Sequence, residues 1–175
     1  MATTVLSRLD SDGNFFEVCS QSDLASCGPA GIFMYECMVK QTSFRGGEDR
    51  IQKISSKFNG NFKQAGGTIL ENVVLTMQHI RVRVTEIDDP PNFPVKVKLG
   101  RVSLTSPALV LLGGYNGSAR NGGHYIVAAR FGSSGAVVYL DPWKGDLVER
   151  MSDGAYINYA QGGAKGLIES VVYSG

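Results

Sequence analysis

The chain has 175 residues, enough for a single domain spanning 1–175, because a domain of this size buries roughly 70% of its unfolded surface and needs neither metal nor disulfide. Its 17 Lys and Arg are scattered among 16 Asp and Glu, so the basic face of a nucleic-acid binder is missing, and no run of 18 apolar residues could insert in a membrane. Three cysteines, Cys19, Cys27 and Cys37, are odd in number and form no CxxC pair, which argues against a disulfide framework or a zinc site.

Residues 1–20 read as a polar, irregular approach, with a turn at Ser11-Asp12-Gly13-Asn14 and a short extended piece at Phe15-Phe16-Glu17-Val18. Over 27–40, Ala30, Phe33, Met34, Cys37 and Met38 recur at helical spacing, and Pro29 sits in the first turn, where its missing N–H is harmless. This predicts a central buried helix. The polar stretch 42–62 carries a short helix around 48–58, and Gly66-Gly67-Thr68 introduces another over 69–78. Polar and apolar residues alternate over 81–87, as in a half-buried strand, until the proline-rich segment 88–94 breaks the pattern. After a short run at 95–99, strands are predicted at 108–112, 124–131 and 136–140, with turns at 132–135 and around Asn116-Gly117. Two more extended stretches follow at 154–159 and 168–173. The expected fold class is α+β, a helical N-terminal half packed on an antiparallel sheet.

Four residues stand in an order that suggests nucleophilic chemistry. Gln21 lies six residues before Cys27, which opens the predicted helix; His124 and Asp141 follow on two successive strands, 17 residues apart. A thiol attacks carbonyl carbon as thiolate, a form favoured at a helix N-terminus and beside an imidazolium. Ser26, Gly28, Ala30 and Gly31 are small and should leave the sulfur accessible. His124 would take and return the proton, and Asp141 would fix its tautomer. The Cys27 amide and the Gln21 side chain are the expected oxyanion donors.

The run Gln21 to Ala30 with Cys27-Gly28-Pro29-Ala30, then Gly123-His124-Tyr125-Ile126-Val127, then Leu140-Asp141-Pro142-Trp143, resembles the papain-like cysteine peptidase superfamily. The nearest branch is that of bacterial bacteriocin-processing peptidases and papain-like effector proteases. The resemblance covers the chain from about residue 15 onward. It implies a papain-like fold and a thiol peptidase acting on protein or peptide through Cys27, His124, Asp141 and Gln21, without cofactor or metal. It also implies a bacterial effector or toxin, with a secretion chaperone or immunity protein as partner. Bacteriocin-processing members precede a membrane-spanning transporter and cut after Gly-Gly; this chain carries no such segment, so that specificity is not expected. The N-terminal residues lack the pattern of a secretory signal, which places the protein in the cytoplasm or on a specialised export route.

Other readings use the same residues. The site could transfer the acyl group to another acceptor, deamidate glutamine, or open peptide bonds of peptidoglycan; a protein that keeps the fold without catalysis would be a binding module. Cys19 and Cys37 read as packing residues, and His79 as a surface or helix-end histidine. Asp12 and Asp146 are rivals to Asp141. Trp143 and Tyr125 could wall a cleft or pack the sheet. Specificity is expected from loops at 42–62, 88–97 and 113–121.

Overall fold

The computed structural model describes residues 4–43, 47–59, 68–88, 102–103, 106–116, 119–151, 156–158 and 165–173. Its elements are β1 (Thr4–Leu9), β2 (Phe15–Ser20), α1 (Cys27–Lys40), α2 (Gly47–Asn59), α3 (Leu70–His79), β3 (Glu86–Asp88), β4 (Ala108–Asn116), β5 (Ala119–Phe131), β6 (Ala136–Asp141), β7 (Asp146–Met151), β8 (Tyr156–Asn158) and β9 (Lys165–Tyr173). The fold is α+β. β1 and β2 form a two-stranded ribbon, and a seven-stranded sheet runs β3-β9-β4-β5-β6-β7 with β8 added to β9. All pairings are antiparallel.

The large sheet is apolar on both faces, which is why its central strands read as nearly unbroken hydrophobic runs. Leu109, Tyr125, Val127, Ala129, Val138 and Leu140 join α1, α2 and α3 in one core, while Val110, Ile126, Ala128, Val137 and Tyr139 belong to a second. The period-two alternation of a strand sorts them. α1 is buried from Cys27 to Cys37 and contacts β2, β4, β5, α2 and α3, as the central helix should. It can approach the sheet closely because residue 31 is glycine. A Cβ there would stand 3.0 Å from Leu109 Cδ1 and 3.5 Å from Tyr125 Cβ.

Several expectations change. Residues 4–20 are not an irregular approach but a hairpin in register from Thr4↔Ser20 to Leu9↔Phe15, with Phe16 and Val18 buried. The turn is fixed by Asp10, whose carboxylate accepts from Asn14 and Arg130. The alternating run 81–87 is strand only at its end: after α3 the chain turns through Arg81 at φ 59°, and the Val82 amide bonds back to Met77. Val82 is buried there without joining a ladder. β7 was not anticipated, since its half-buried pattern lacks an apolar stripe. β4 and β5 are longer than expected, so 113–116 and 119–121 belong to strands and not to a loop. The run at 95–99, most of 88–97, Gly66-Gly67 and Gly117 lie outside the described residues.

Candidate active site

β5 and β6 bring His124 and Asp141 together by register. Val127 lies opposite Leu140 and Ala128 opposite Tyr139, so Asp141 at the end of β6 falls diagonally across from His124. Diagonal neighbours in an antiparallel pair are within reach of long side chains. His124 Nε2 and Asp141 Oδ1 are 2.6 Å apart, with the side chains 5% and 14% exposed. The same Oδ1 accepts the Trp143 backbone N–H at 2.8 Å, so the carboxylate is oriented from two directions. The Trp143 ring stands edge-to-face with the imidazole at 6.4 Å, which places it against the histidine, while Tyr125 is core.

Cys27 meets this pair from the first residue of α1. The Cys27 side chain is among the groups that raise the imidazole's pKa, so sulfur and ring are neighbours. With Nε2 given to Asp141, Nδ1 is the ring atom left for the sulfur. Burial alone would push the imidazole's pKa down, but the bond to Asp141, the Cys27 side chain and their charges outweigh it and raise it to about 10. The ring therefore holds its proton more tightly than an ordinary histidine does. Cys27 is not openly accessible as its small neighbours suggested; it is only 7% exposed. The histidine neighbours its side chain, and Thr68 packs on Gly28, 2.9 Å from where a Cβ would be.

The helix end beside the sulfur has been left bare. Ser26, at the N-cap, makes no side-chain cap bond, and no acidic residue lies in the first turn. The first ladder bond is Ala30 N–H to Ser26 carbonyl, and Pro29 has no N–H, so the amides of Cys27 and Gly28 are unclaimed by the helix. Together with the positive end of the helix dipole they favour negative charge.

Gln21 sits in the β2–α1 connection and is tied to the Asp141 turn, its N–H donating to the Pro142 carbonyl at 2.7 Å. Its side-chain Nε2 donates to the Asp23 carbonyl at 2.6 Å, which uses one of the amide's two hydrogens. Gln21 Oε1 and Thr68 Oγ1 are buried with no hydrogen-bond partner among the described residues, and they belong to segments immediately before and beside Cys27. Such groups are uncommon in native structures and collect where function requires them.

The rival residues are engaged elsewhere. Asp12 binds Arg130 and Ser133, and the Ser133 hydroxyl and amide, helped by Arg130, pull its carboxyl pKa down to about 2. Asp146 faces Arg8 at 3.6 Å. His79 ends α3, exposed, with its ring edge-on to Phe58. Cys19 and Cys37 are buried, and burial pushes both thiol pKa values up, that of Cys37 to about 11. Among the described residues no three His, Cys, Asp or Glu side chains cluster to hold a metal. No described helix is long and apolar enough to cross a membrane.

Sequence reasoning missed the residues that hold the connection before Cys27. Glu48, in the first turn of α2, is fully buried and accepts from both the Ser22 amide and hydroxyl. Gln52, one turn later, donates to Glu48 and to Ser22 Oγ. Spacing of Glu48 and Gln52 on one helix face was a signal, but nothing in the chain pointed to Ser22 as the recipient. Neither the scan of protein-family models nor the search of curated proteins matches this chain.

Proposed function

We propose that this protein is a papain-like thiol peptidase that hydrolyses peptide bonds through a thioester on Cys27. The observation that carries the reading is one buried histidine bonded to a carboxylate and neighboured by a cysteine at an uncapped helix N-terminus. A packing cysteine needs no such partner.

In the first half-reaction the Cys27 thiolate attacks the carbonyl carbon, and the carbonyl π electrons move to oxygen. The oxyanion faces the Cys27 amide and the remaining Gln21 N–H. Collapse breaks the C–N bond, and the imidazolium Nδ1–H protonates the departing amine. In the second half, Nδ1 takes a proton from water as its oxygen attacks the thioester; the C–S bond breaks, the acid leaves and the thiolate is restored. Asp141 stays ionised and holds Nε2–H throughout.

Incubation with a mixture of unfolded proteins, read by mass spectrometry for new N-termini, tests this reading. New termini from wild type and none from Cys27→Ala are expected. Conversion of glutamine to glutamate, transfer of acyl groups to added amines, or release from peptidoglycan alone, with no new protein termini, would overturn it.

A further inference from the structure

The network beneath the connection before Cys27 has more order than a surface loop requires. Glu48 is 0% exposed, and three donors converge on its carboxylate: Ser22 N–H at 3.0 Å, Ser22 Oγ–H at 3.0 Å and the Gln52 amide. Beside Ser22, with its Oγ 3.5 Å away, stands Ser26, whose hydroxyl accepts from Asp23 N–H at 3.2 Å and donates to the Asp23 carbonyl at 3.1 Å. The same carbonyl accepts the Gln21 side-chain amide at 2.6 Å. Residues 21–26 are thus fixed from below by Glu48 and from the side by Pro142, and the fixed end delivers both Gln21 and the Cys27 amide.

The network also explains the bare helix end. Ser26 Oγ, which would ordinarily cap α1, is turned back to Asp23. Its diversion leaves the Cys27 and Gly28 amides free for a developing negative charge. We infer that Glu48 is a positioning residue for oxyanion stabilisation, acting through Ser22 and Asp23 on the Gln21 amide and the helix N-terminus. This inference rests on the thiol-acyl-transfer reading above.

Glu48→Gln is nearly isosteric but replaces one acceptor oxygen by a donor. Whichever way the amide turns, an N–H then meets either the Ser22 amide or the Ser22 hydroxyl and Gln52. A neutral amide also holds these donors less strongly than a carboxylate, so the grip on Ser22, and through it on residues 23–26, loosens. Because the Cys27–His124–Asp141 contacts come from other elements, they should survive.

Two small reagents separate these functions without requiring a known substrate. Iodoacetamide alkylates a thiolate at saturated carbon, with no oxyanion. p-Nitrophenyl acetate acetylates it: sulfur attacks the ester carbonyl, a tetrahedral oxyanion forms, the C–O bond breaks and p-nitrophenolate leaves. The ratio of acetylation to alkylation rates at Cys27, followed by intact mass, reports the donors alone. In Glu48→Gln the alkylation rate and its pH profile should stay within about twofold of wild type while the ratio falls about 10-fold or more. Ser22→Ala, which keeps the backbone bond to Glu48, should show a smaller fall of the same sign and carries the test if Glu48→Gln does not fold. An unchanged ratio in the folded variant, or equal losses in both rates, overturns the role of Glu48. If wild-type Cys27 reacts no faster than Cys19 or Cys37, the peptidase reading itself fails, and this inference with it.

Discussion

The two halves of the candidate site are built by different means. His124 and Asp141 sit on adjacent strands whose backbone ladder sets their separation, so the pair follows from register and needs only the right residue at each place. Cys27 is carried by α1, packed on the sheet, but Gln21 and the connection leading to the helix have no ladder and are placed by side-chain bonds from Glu48, Ser22, Gln52 and Ser26. A site half made by register tolerates loss of a side chain without moving its neighbours. One made by a polar network does not, because each member's place depends on the next.

Asp141→Ala should give the largest effect on the register-built half. The strands stay paired, but the imidazole loses the group that sets its tautomer and holds its charge. Hydrolysis is expected to fall at least ~100-fold, with the His124 pKa, read by NMR of the ring, dropping from its raised value toward the ordinary histidine range. A variant that retains full activity, or one that unfolds the sheet, breaks the distinction between the two halves.

The same pair predicts a pH dependence of stability. The folded pKa of His124 is raised above the value near 6.5 of an unfolded histidine, so the folded state binds the proton more tightly. The stabilisation is complete below pH about 6.5 and is lost as pH rises toward about 10. Denaturant unfolding should show wild type weakening across that window and His124→Gln losing this dependence; parallel curves would contradict it.

Glycines on α1 sharpen the comparison at smaller scale. Gly28→Ala puts a Cβ 2.9 Å from both Cβ and Oγ1 of Thr68, a buried, β-branched residue. A loss of about 1–3 kcal/mol is expected by thermal or denaturant unfolding, together with slower labelling of Cys27. Gly31→Ala meets the terminal methyl of Leu109 at 3.0 Å. There the helix propensity gained, about 1 kcal/mol, offsets most of the crowding, and stability should change by less than about 1 kcal/mol. Equal effects at the two positions would mean that the Cys27 end of α1 is no more constrained than its middle.

The legibility of the site in the sequence follows the same division. Helix α1 and strands β5 and β6 were readable because periodicity and turn residues are local, and with them came Cys27, His124 and Asp141. Of the ribbon, the turn at 11–14 and the extended piece at 15–18 were readable, but β1 and its pairing were not, because Leu6 stands among polar residues that resemble a loop. Glu48 was hidden for a different reason. A glutamate in a polar helix reads as solvated, and only the tertiary packing of α2 against residues 21–26 turns it into a buried acceptor. Contacts between distant segments that rest on single hydrogen bonds leave no period in the chain. Trp143 lies between these cases: its place after Asp141-Pro142 was visible, but its edge-on contact with His124 depends on the turn geometry.

The most direct test of the account is intact-protein mass after brief treatment with iodoacetamide near neutral pH, comparing wild type, Cys27→Ala and His124→Ala. The account predicts one adduct in wild type, none at that rate in Cys27→Ala, labelling slowed about 100-fold in His124→Ala, and no rapid reaction at Cys19 or Cys37, whose thiols burial holds protonated. Slow, equal labelling of all three cysteines, or labelling of Cys27 indifferent to His124, would contradict it.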